Sequence, residues 1–441
     1  MMPAWRNGRW ALAVAACAAA ALLPGCKGGG EGKAGDQVIH VTRNIGGRAG
    51  FQKHWDAWKA AFEKKNPGWK LELTDLGNAD GAEYYKSRIA TDDLPEIVMT
   101  WQLTKMLADA GKLQPLDDAY YTRIGLPLPT AYQGKRYTSQ GGTQIQGIAV
   151  NKAMWARAGI TRPPATWDEL VADLRAIKAK GMRPLVFGAK EWSAQMPLYY
   201  ALATSLYYDP PKAGQPSWTI LRDQGKVKFA TDPTMRKVME KVVAFVGEFV
   251  DKGAGSDGYN EEQRDFYGGK GATWLMGCWL GGDIEANKVN FDIEYWPIPS
   301  MTGKAPAYLM TSGIPSGWAI TTTAKGPKLE KARDALELFW DPQVFQLFLN
   351  GESQFGTATK VAATKPQSAW APAQKLFDNM DANMRKYRLT PGYHLALDDM
   401  PPMSFVQSTQ AVVQEIVSGT KDVDKLLKML DDDWEAARKG M

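Results

Sequence analysis

The chain has 441 residues, of which 44% are hydrophobic and 23% are charged, and this length and composition indicate a folded protein of two or three domains. They argue against a disordered chain and against a protein with many membrane spans. The 53 basic and 48 acidic residues give a net charge of only +5, without a block of like charges, which disfavours nucleic acid as a partner. Aromatic residues are abundant, with 17 Trp, 16 Tyr and 14 Phe.

The N-terminus has the pattern of a secretory signal. Arg6 and Arg9 precede the apolar run ALAVAACAAAALL, which is too short to span a bilayer as a stable helix. Leu23, Gly25 and Cys26 then resemble a bacterial lipobox, in which the cysteine becomes the lipid-modified first residue of the mature chain. A simple signal peptide that is cut nearby is the alternative.

We therefore expect residues 1–26 to be a lipoprotein signal peptide and the Gly-rich residues 27–35 to be a flexible tether. The protein would then lie outside the cytoplasm, in the periplasm or cell envelope. Its N-terminal lipid alone would anchor it to a membrane.

Cysteine and histidine usage predicts neither a disulfide nor a metal site. Cys17 lies inside the signal and Cys26 would carry the lipid, which leaves Cys278 as a small buried residue. The three histidines are scattered and show no metal-ligand spacing. We expect no cofactor and no metal, and packing alone must stabilise the fold.

Strands and amphipathic helices alternate after the tether. Phe51, Trp55, Trp58 and Phe62 follow one another at spacings of four, three and four, which places them on one face of a helix. Further elements of this half are strands at 38–42, 69–74 and 95–99 and helices at 80–91 and 103–110. Strands that are separated by helices predict a parallel sheet with crossover connections.

The alternation restarts in the second part of the chain. Thr166 and Glu169 form a capping box at the start of a helix, and Gly181 ends that helix. Strands are expected at PLVFG (184–188), FDIEYWPIP (291–299) and GWAIT (317–321), and helices at 233–251, 329–340, 342–349, 405–418 and 423–437. We therefore predict two α/β lobes.

The stretch GGKGATWLMGCWLGGD (268–283) sets two tryptophans among six glycines. It belongs to a series of blocks that resembles the bacterial extracellular solute-binding proteins of ABC importers, in the carbohydrate-binding branch that includes the maltodextrin-binding proteins. The matching blocks occur in the family's order and include FEKKNPGWKLEL, DDLPEIVMTW, LADAGKLQPLDD, GIAVNKAMWARAGI, GWAITTTAKGPKLEKARDALELFW and TQAVVQEIVSGTKDVDKLLK.

The resemblance implies a type II periplasmic-binding-protein fold, in which two discontinuous α/β lobes close on a ligand in a hinged cleft. The first lobe would comprise residues 36–147 and 300–355, and the second residues 148–299 and 356–441. The implied function is the capture of a neutral mono- or oligosaccharide by a monomer, which delivers it to the permease subunits of an ABC transporter.

The resemblance also implies ligand-binding positions. A sugar presents C–H faces, which stack on indole rings, and hydroxyls, which need polar partners. Trp279 would be the stacking plate, and Trp274 and Trp318 either line the cleft or fill the core. The other implied positions are Trp101, Trp192 with Glu191, Asn44, Asp75, Asn78 and Asp283. Trp55, Trp58, Trp155, Trp167 and Trp434 are expected to serve packing.

Two other functions compete with this one. A surface carbohydrate-active enzyme of the glycoside-hydrolase type also carries many tryptophans and paired carboxylates. A surface adhesin or sensor subunit would use the same clamp. However, no P-loop, GxSxG or HExxH motif is present, so we expect a binding protein and not an enzyme.

Overall fold

The computed structural model describes residues 37–43, 49–77, 81–100, 103–129, 131–139, 142–207, 216–302, 309–311, 317–387, 389–391 and 403–439. Residues Gln37–Met441 form one compact unit. Helices and strands alternate through most of this unit, as the sequence predicts.

The strands are β1 (Val38–Arg43), β2 (Lys70–Asp75), β3 (Ile97–Met99), β4 (Ile145–Asn151), β5 (Thr273–Gly277), β6 (Ile293–Trp296), β7 (Leu309–Thr311), β8 (Trp318–Ile320) and β9 (Leu389–Pro391).

The helices are α1 (Ala49–Lys65), α2 (Gly81–Thr91), α3 (Thr104–Asp109), α4 (Asp118–Ile124), α5 (Lys152–Arg157), α6 (Trp167–Ala179), α7 (Met196–Leu202), α8 (Trp218–Asp223), α9 (Pro233–Phe249), α10 (Tyr259–Tyr267), α11 (Pro327–Leu338), α12 (Pro342–Glu352), α13 (Ala371–Lys386), α14 (Met403–Val417) and α15 (Val423–Lys439). Short 3₁₀ segments include Trp192–Gln195 and Cys278–Asp283.

The first sheet has the strand order β2-β1-β3-β8. Strands β1, β2 and β3 are parallel, with Val38 opposite Lys70 and Val41 opposite Ile97, so the predicted crossover connections are confirmed here. Strand β8 returns from far along the chain and pairs antiparallel with β3, with Ala319 opposite Val98.

The second sheet is organised around β4, all of whose residues are buried. Strands β5, β6 and β7 each pair antiparallel with β4, and β9 pairs parallel with β7. The strand predicted at PLVFG is wrong, because only Val186 forms a bridge, to Trp274. The N–H of Gly188, two residues after Val186, donates to the side chain of Glu262 and not to a neighbouring strand. Strand pairing therefore does not continue beyond Val186.

Each sheet has its own buried core. The first contains Trp58, Trp318 and Phe339, and the second contains Ile148 and Trp274. The five tryptophans that the sequence assigns to packing are all confirmed as buried: Trp55, Trp58, Trp155, Trp167 and Trp434. The chain therefore forms two α/β lobes.

Helix α1 illustrates how local periodicity becomes packing. Its predicted face, Phe51, Trp55, Trp58 and Phe62, is buried in the first core, and the indole N–H of Trp58 donates to the carbonyl of Ala335 at 2.8 Å. Burial of these four large rings is the main driving force that docks α1 on its neighbours.

The start of α6 departs slightly from the predicted capping box. The Glu169 N–H donates to the hydroxyl of Thr166 at 3.1 Å, as expected. The Glu169 carboxylate, however, accepts from the N–H of Ala165 at 2.8 Å, one residue earlier than the motif specifies.

Three glycines from distant parts of the chain bring backbone against backbone where the two cores meet. A Cβ atom on Gly282 would lie 2.0 Å from the carbonyl oxygen of Gly351, and one on Gly50 would lie 2.8 Å from the Gly351 Cα. Gly50 and Gly351 belong to α1 and α12, whereas Gly282 belongs to the segment Cys278–Asp283. Only glycine permits so close a contact.

We predict that Gly282→Ala destabilises the protein by about 2 kcal/mol, because the new methyl group must push the two backbones apart. The matched control is Gly247→Ala in α9, where a Cβ atom meets no other heavy atom within 4 Å. That change should stabilise the protein by about 0.5 to 1 kcal/mol through helix propensity. Urea unfolding measures both, and equal effects of the two substitutions would contradict the role of the contact.

The buried imidazole of His54 predicts a loss of stability in acid. Burial lowers its pKa from 6.5 to about 3, so the unfolded chain binds a proton that the folded chain refuses. The associated stability is present above pH 6.5 and is lost as the pH falls toward 3. Relative to His54→Phe, the wild type should lose about 2 kcal/mol between pH 7 and pH 5 in urea unfolding. A difference in the free energy of unfolding between the wild type and His54→Phe that is constant with pH would refute the prediction.

Candidate functional site

Three aromatic rings meet on the surface of the second core. The ring centroid of Trp192 lies 5.1 Å from that of Tyr259 and 6.1 Å from that of Trp279. Trp192 is half-buried, whereas Tyr259 and Trp279 are 8% and 6% exposed. We call Trp192, Tyr259 and Trp279 the aromatic wall.

Close packing on a glycine positions Trp279. Strand β5 ends at Gly277, and the segment Cys278–Asp283 follows at once. A Cβ atom on Gly277 would lie 2.0 Å from the Trp279 ring, so the indole lies directly against bare backbone. The glycines of this stretch therefore make room for the ring and for the contact with Gly351 described above.

Trp274 lies behind the wall and is only 1% exposed. Its ring stacks on Tyr259 at 5.8 Å with an interplanar angle of 29°, and its indole N–H donates to Glu262 at 3.2 Å. Of the two places that the sequence allows for Trp274, the structure places it in the core.

Glu262 is a buried acid that the sequence analysis does not identify. Its Oε1 accepts from the N–H of Gly188 at 2.6 Å, while its Oε2 accepts from Trp274. Burial raises the pKa of Glu262 to about 8, and the hydrogen bonds from these neighbours oppose that rise. The carboxyl group is therefore mainly neutral at pH 7.

Glu191 lies at the edge of the same cluster and precedes the 3₁₀ segment Trp192–Gln195. It is half-buried, and its Oε2 has no hydrogen-bond partner among the described residues. The start of α10 packs against it, since a Cβ atom on Gly258 would lie 2.5 Å from Oε1. A buried carboxylate oxygen beside exposed ring surface suits a ligand that donates hydrogen bonds.

The two predicted aspartates that the structure describes bond to other side chains. Asp75 ends β2, and its Oδ2 accepts from Nε and Nη2 of Arg43 at 2.9 and 2.6 Å. Asp283 is 4% exposed and accepts from Gln263 at 2.9 Å. Asp75 holds the ends of β1 and β2 together, and Asp283 holds the segment Cys278–Asp283 against α10.

Trp318 lies in the first core and is fully buried. Its ring makes an edge contact with Trp58 at 5.1 Å and a tilted contact with Phe339 at 6.1 Å. Of its two predicted places, cleft or core, the structure gives it the core.

The predicted positions thus separate into groups. Glu191, Trp192, Trp274 and Trp279 come together in the second core, with Asp283 on the same segment as Trp279, whereas Asp75 and Trp318 lie with the first sheet. Asn44, Asn78, Trp101 and Cys26 lie outside the described residues.

Sequence reasoning missed Tyr259 and Glu262 because it assigned no helix to 259–267. The signal was available in the spacing of Tyr259, Glu262 and Phe266, three and four residues apart, which marks one helical face. In the sequence, Glu262 interrupts the apolar pattern of that face. In the structure, its side chain is buried and accepts hydrogen bonds from Gly188 and Trp274.

Two further features concern only the part of the chain that the structure describes. Its His, Cys, Asp and Glu side chains form no group of three or more that suits a metal ion. Within the same residues, every helix is too short or too polar to cross a membrane.

Comparison with solved structures identifies the fold. A chitin oligosaccharide binding protein superposes with a TM-score of 0.75 at 20% sequence identity, and the match covers 92% of this chain and 100% of that one. The likeness confirms the predicted periplasmic-binding-protein architecture of two α/β lobes.

Curated sequences give further relatives. A binding protein of Brucella abortus (strain 2308) is 24% identical over 275 residues, which is 59% of this chain and 63% of that protein. The chain therefore spans less than two thirds of that relative's length. The melibiose/raffinose/stachyose-binding protein of Bacillus subtilis (strain 168) is 24% identical over 338 residues, with 73% of this chain and 74% of that protein covered.

Residues 46–344 match the family model of the bacterial extracellular solute-binding proteins. This match covers well over half of the chain and includes the aromatic wall. The chain belongs to the family of bacterial extracellular solute-binding proteins.

Proposed function

We propose that this protein is the extracytoplasmic substrate-binding component of an ABC transporter. It captures a neutral mono- or oligosaccharide in the cleft between its lobes and delivers it to the permease subunits in the membrane. The observation that carries the proposal is the aromatic wall, with a half-buried carboxylate, Glu191, beside it.

The chemistry of the aromatic wall suits a sugar. Indole and phenol rings offer flat apolar faces with few rotamers to freeze, and these match the C–H faces of a pyranose. If one ring removes roughly 100 Å² of apolar surface from water, it contributes about 2.5 kcal/mol. Trp192 is the ring of the wall with this much surface to offer, and further contacts must supply the rest of the roughly 8 kcal/mol that micromolar binding requires.

The charges around the wall favour a neutral ligand over an anion. Glu191 carries a carboxylate, which accepts hydrogen bonds from hydroxyl groups and repels phosphates and carboxylates. The names of the relatives agree with this chemistry, since one binds melibiose, raffinose and stachyose and another binds chitin oligosaccharides.

The opposite side of the cleft belongs, in this proposal, to the first lobe. Asn44, Asn78 and Trp101 follow β1, β2 and β3, and the carboxyl ends of parallel strands are where open α/β sheets bind ligands. Arg43 and Asp75 position these strand ends through their ion pair.

We propose lobe boundaries close to those that the sequence predicts, with two adjustments. Strand β7 pairs with β4, which supports its assignment to the second lobe. Ala358, Val361 and Ala363 pack in the first core, which supports a return to the second lobe after residue 363. Each adjustment shifts, by several residues, a point at which the chain passes from one lobe to the other. The two lobes remain discontinuous.

An enzyme of the glycoside-hydrolase type is the alternative, and turnover separates the two functions. Incubation of the protein with an excess of the bound oligosaccharide should leave the sugar intact by chromatography. Release of shorter sugars at substoichiometric protein would establish the enzyme instead.

Attachment to the membrane forms a separate part of the proposal. Cys26 in the sequence LPGC is the expected lipid acceptor, and the Gly-rich residues 27–35 would let a monomeric binding domain reach the permease.

We predict that Trp192→Ala and Trp279→Ala each weaken sugar binding at least about tenfold, which corresponds to about 1.4 kcal/mol. Thermal shift over a panel of neutral sugars identifies the ligand, and calorimetry then measures the affinity of each variant. The matched control is Trp218→Ala, a half-buried tryptophan of the same core that contacts Phe229 and Trp434 instead of the wall. Equal losses in all three variants, or a response to amines or phosphates alone, would refute the assignment.

We predict that Cys26→Ser moves the protein from the membrane fraction to the soluble fraction of the cell envelope, because the lipid acceptor is lost. Fractionation and the mass of the mature N-terminus measure this outcome. Sugar affinity of the released protein should be unchanged. An unchanged membrane fraction would show that another segment anchors the chain.

A further inference from the structure

The carboxyl group of Glu262 connects three segments of the second lobe. Helix α10 carries the side chain inward, where it is 3% exposed. The loop before the 3₁₀ segment Trp192–Gln195 contributes the N–H of Gly188 at 2.6 Å, and β5 contributes the indole N–H of Trp274 at 3.2 Å. One buried group therefore holds a loop, a strand and a helix together.

Each of these segments supports a part of the aromatic wall. Gly188 lies four residues before Trp192 on the same loop. Trp274 stacks on Tyr259 at 5.8 Å, and Tyr259 in turn contacts Trp192 at 5.1 Å. A shift of the Glu262 carboxyl group would therefore reach the face of the wall through one intermediate contact.

The surroundings of Glu262 favour its neutral form. The ionisable side chains of the packed elements are Lys190 and Glu191 on the loop, Asp257 in the turn before α10, and Tyr259, Glu261, Arg264, Asp265 and Tyr267 on α10 itself, while β5 presents only uncharged side chains. Of these, Glu191 acts on Glu262 and, like burial, raises its pKa. Arg264 pairs with Glu261 and Asp265. Among the described residues, the structure pairs no lysine or arginine with this carboxyl group, so its anion would lack a compensating charge.

We propose that Glu262 is a positioning residue for the aromatic wall, and that loss of its proton loosens the wall and lowers sugar affinity as the pH rises. The inference rests on the proposed sugar-binding function of that wall. An anion in this apolar setting draws in water or moves toward solvent. The anion also repels the carboxylate of Glu191, which directly precedes Trp192 in the chain. Either change displaces the loop that carries Trp192.

The decisive measurement is the pH dependence of sugar affinity, by calorimetry, with the sugar that the wild type binds at pH 7. The Glu262 pKa of about 8 means that the protonated fraction falls about tenfold between pH 7 and pH 9, and the wild-type Kd should rise by about the same factor. Glu262→Gln mimics the neutral acid, so its Kd should change less than about twofold over that range.

Two further variants separate a positioning role from a merely structural one. Glu240→Gln, at an exposed position on α9, should follow the wild-type pH profile. Trp274→Phe keeps a ring against Tyr259 but removes a hydrogen bond that lowers the Glu262 pKa, so its loss of affinity should shift to higher pH. This second variant decides the matter if Glu262→Gln fails to fold. A Glu262→Gln or Trp274→Phe profile that coincides with the wild type would overturn the proposal.

A measurement on the sugar-free protein separates the positioning role of Glu262 from the proposed sugar-binding function. Tryptophan fluorescence of the sugar-free wild type should show a transition near pH 8 that is absent in Glu262→Gln. If no sugar binds at any pH, the proposed function fails while this transition still tests the positioning role. If sugar binds but neither fluorescence nor affinity responds to pH, the positioning role fails and the proposed function stands.

Discussion

The backbone contact among Gly50, Gly282 and Gly351 is the constraint on which the arrangement of the site depends. Each sheet buries its own set of aromatic side chains, so the two cores are separate packing units. The contact joins them without an intervening side chain and fixes the segment Cys278–Asp283 against α1 and α12. Since Trp279 lies on that segment and rests on Gly277, the same close packing that joins the cores also sets the position of the Trp279 ring.

The site combines an exposed apolar face with a polar interior. Trp192 and Glu191 face outward in part, whereas Trp274 and Glu262 lie behind them and hold the segments in place through hydrogen bonds. Buried polar groups with satisfied partners rigidify their surroundings, and a rigid wall loses less entropy when a ligand binds.

Much of the local structure was predictable because it follows from spacing along the chain. The four aromatic residues of α1 and the long stripe of α9 gave the right helices, since a 3.6-residue period is visible without tertiary information. The strand predicted at the apolar run PLVFG was wrong, because the hydrophobicity of this run reflects burial in the second core and not strand pairing. Helix α10 escaped detection because a buried glutamate breaks its apolar face, and only the donors of Gly188 and Trp274 make that burial tolerable.

The sequence by itself determined the two α/β lobes, the packing role of five tryptophans and the family to which the chain belongs. These depend on residue type, order and period, which the chain carries locally. Only the tertiary structure decided that Trp192 reaches the surface while Trp274 and Trp318 are buried, and that Asp75 bonds to Arg43. The three side chains are chemically identical, although Trp192 begins a 3₁₀ segment and Trp274 and Trp318 lie in strands. Their exposure depends on contacts with residues far away in the sequence, such as Glu262 and Phe339, which no local pattern specifies.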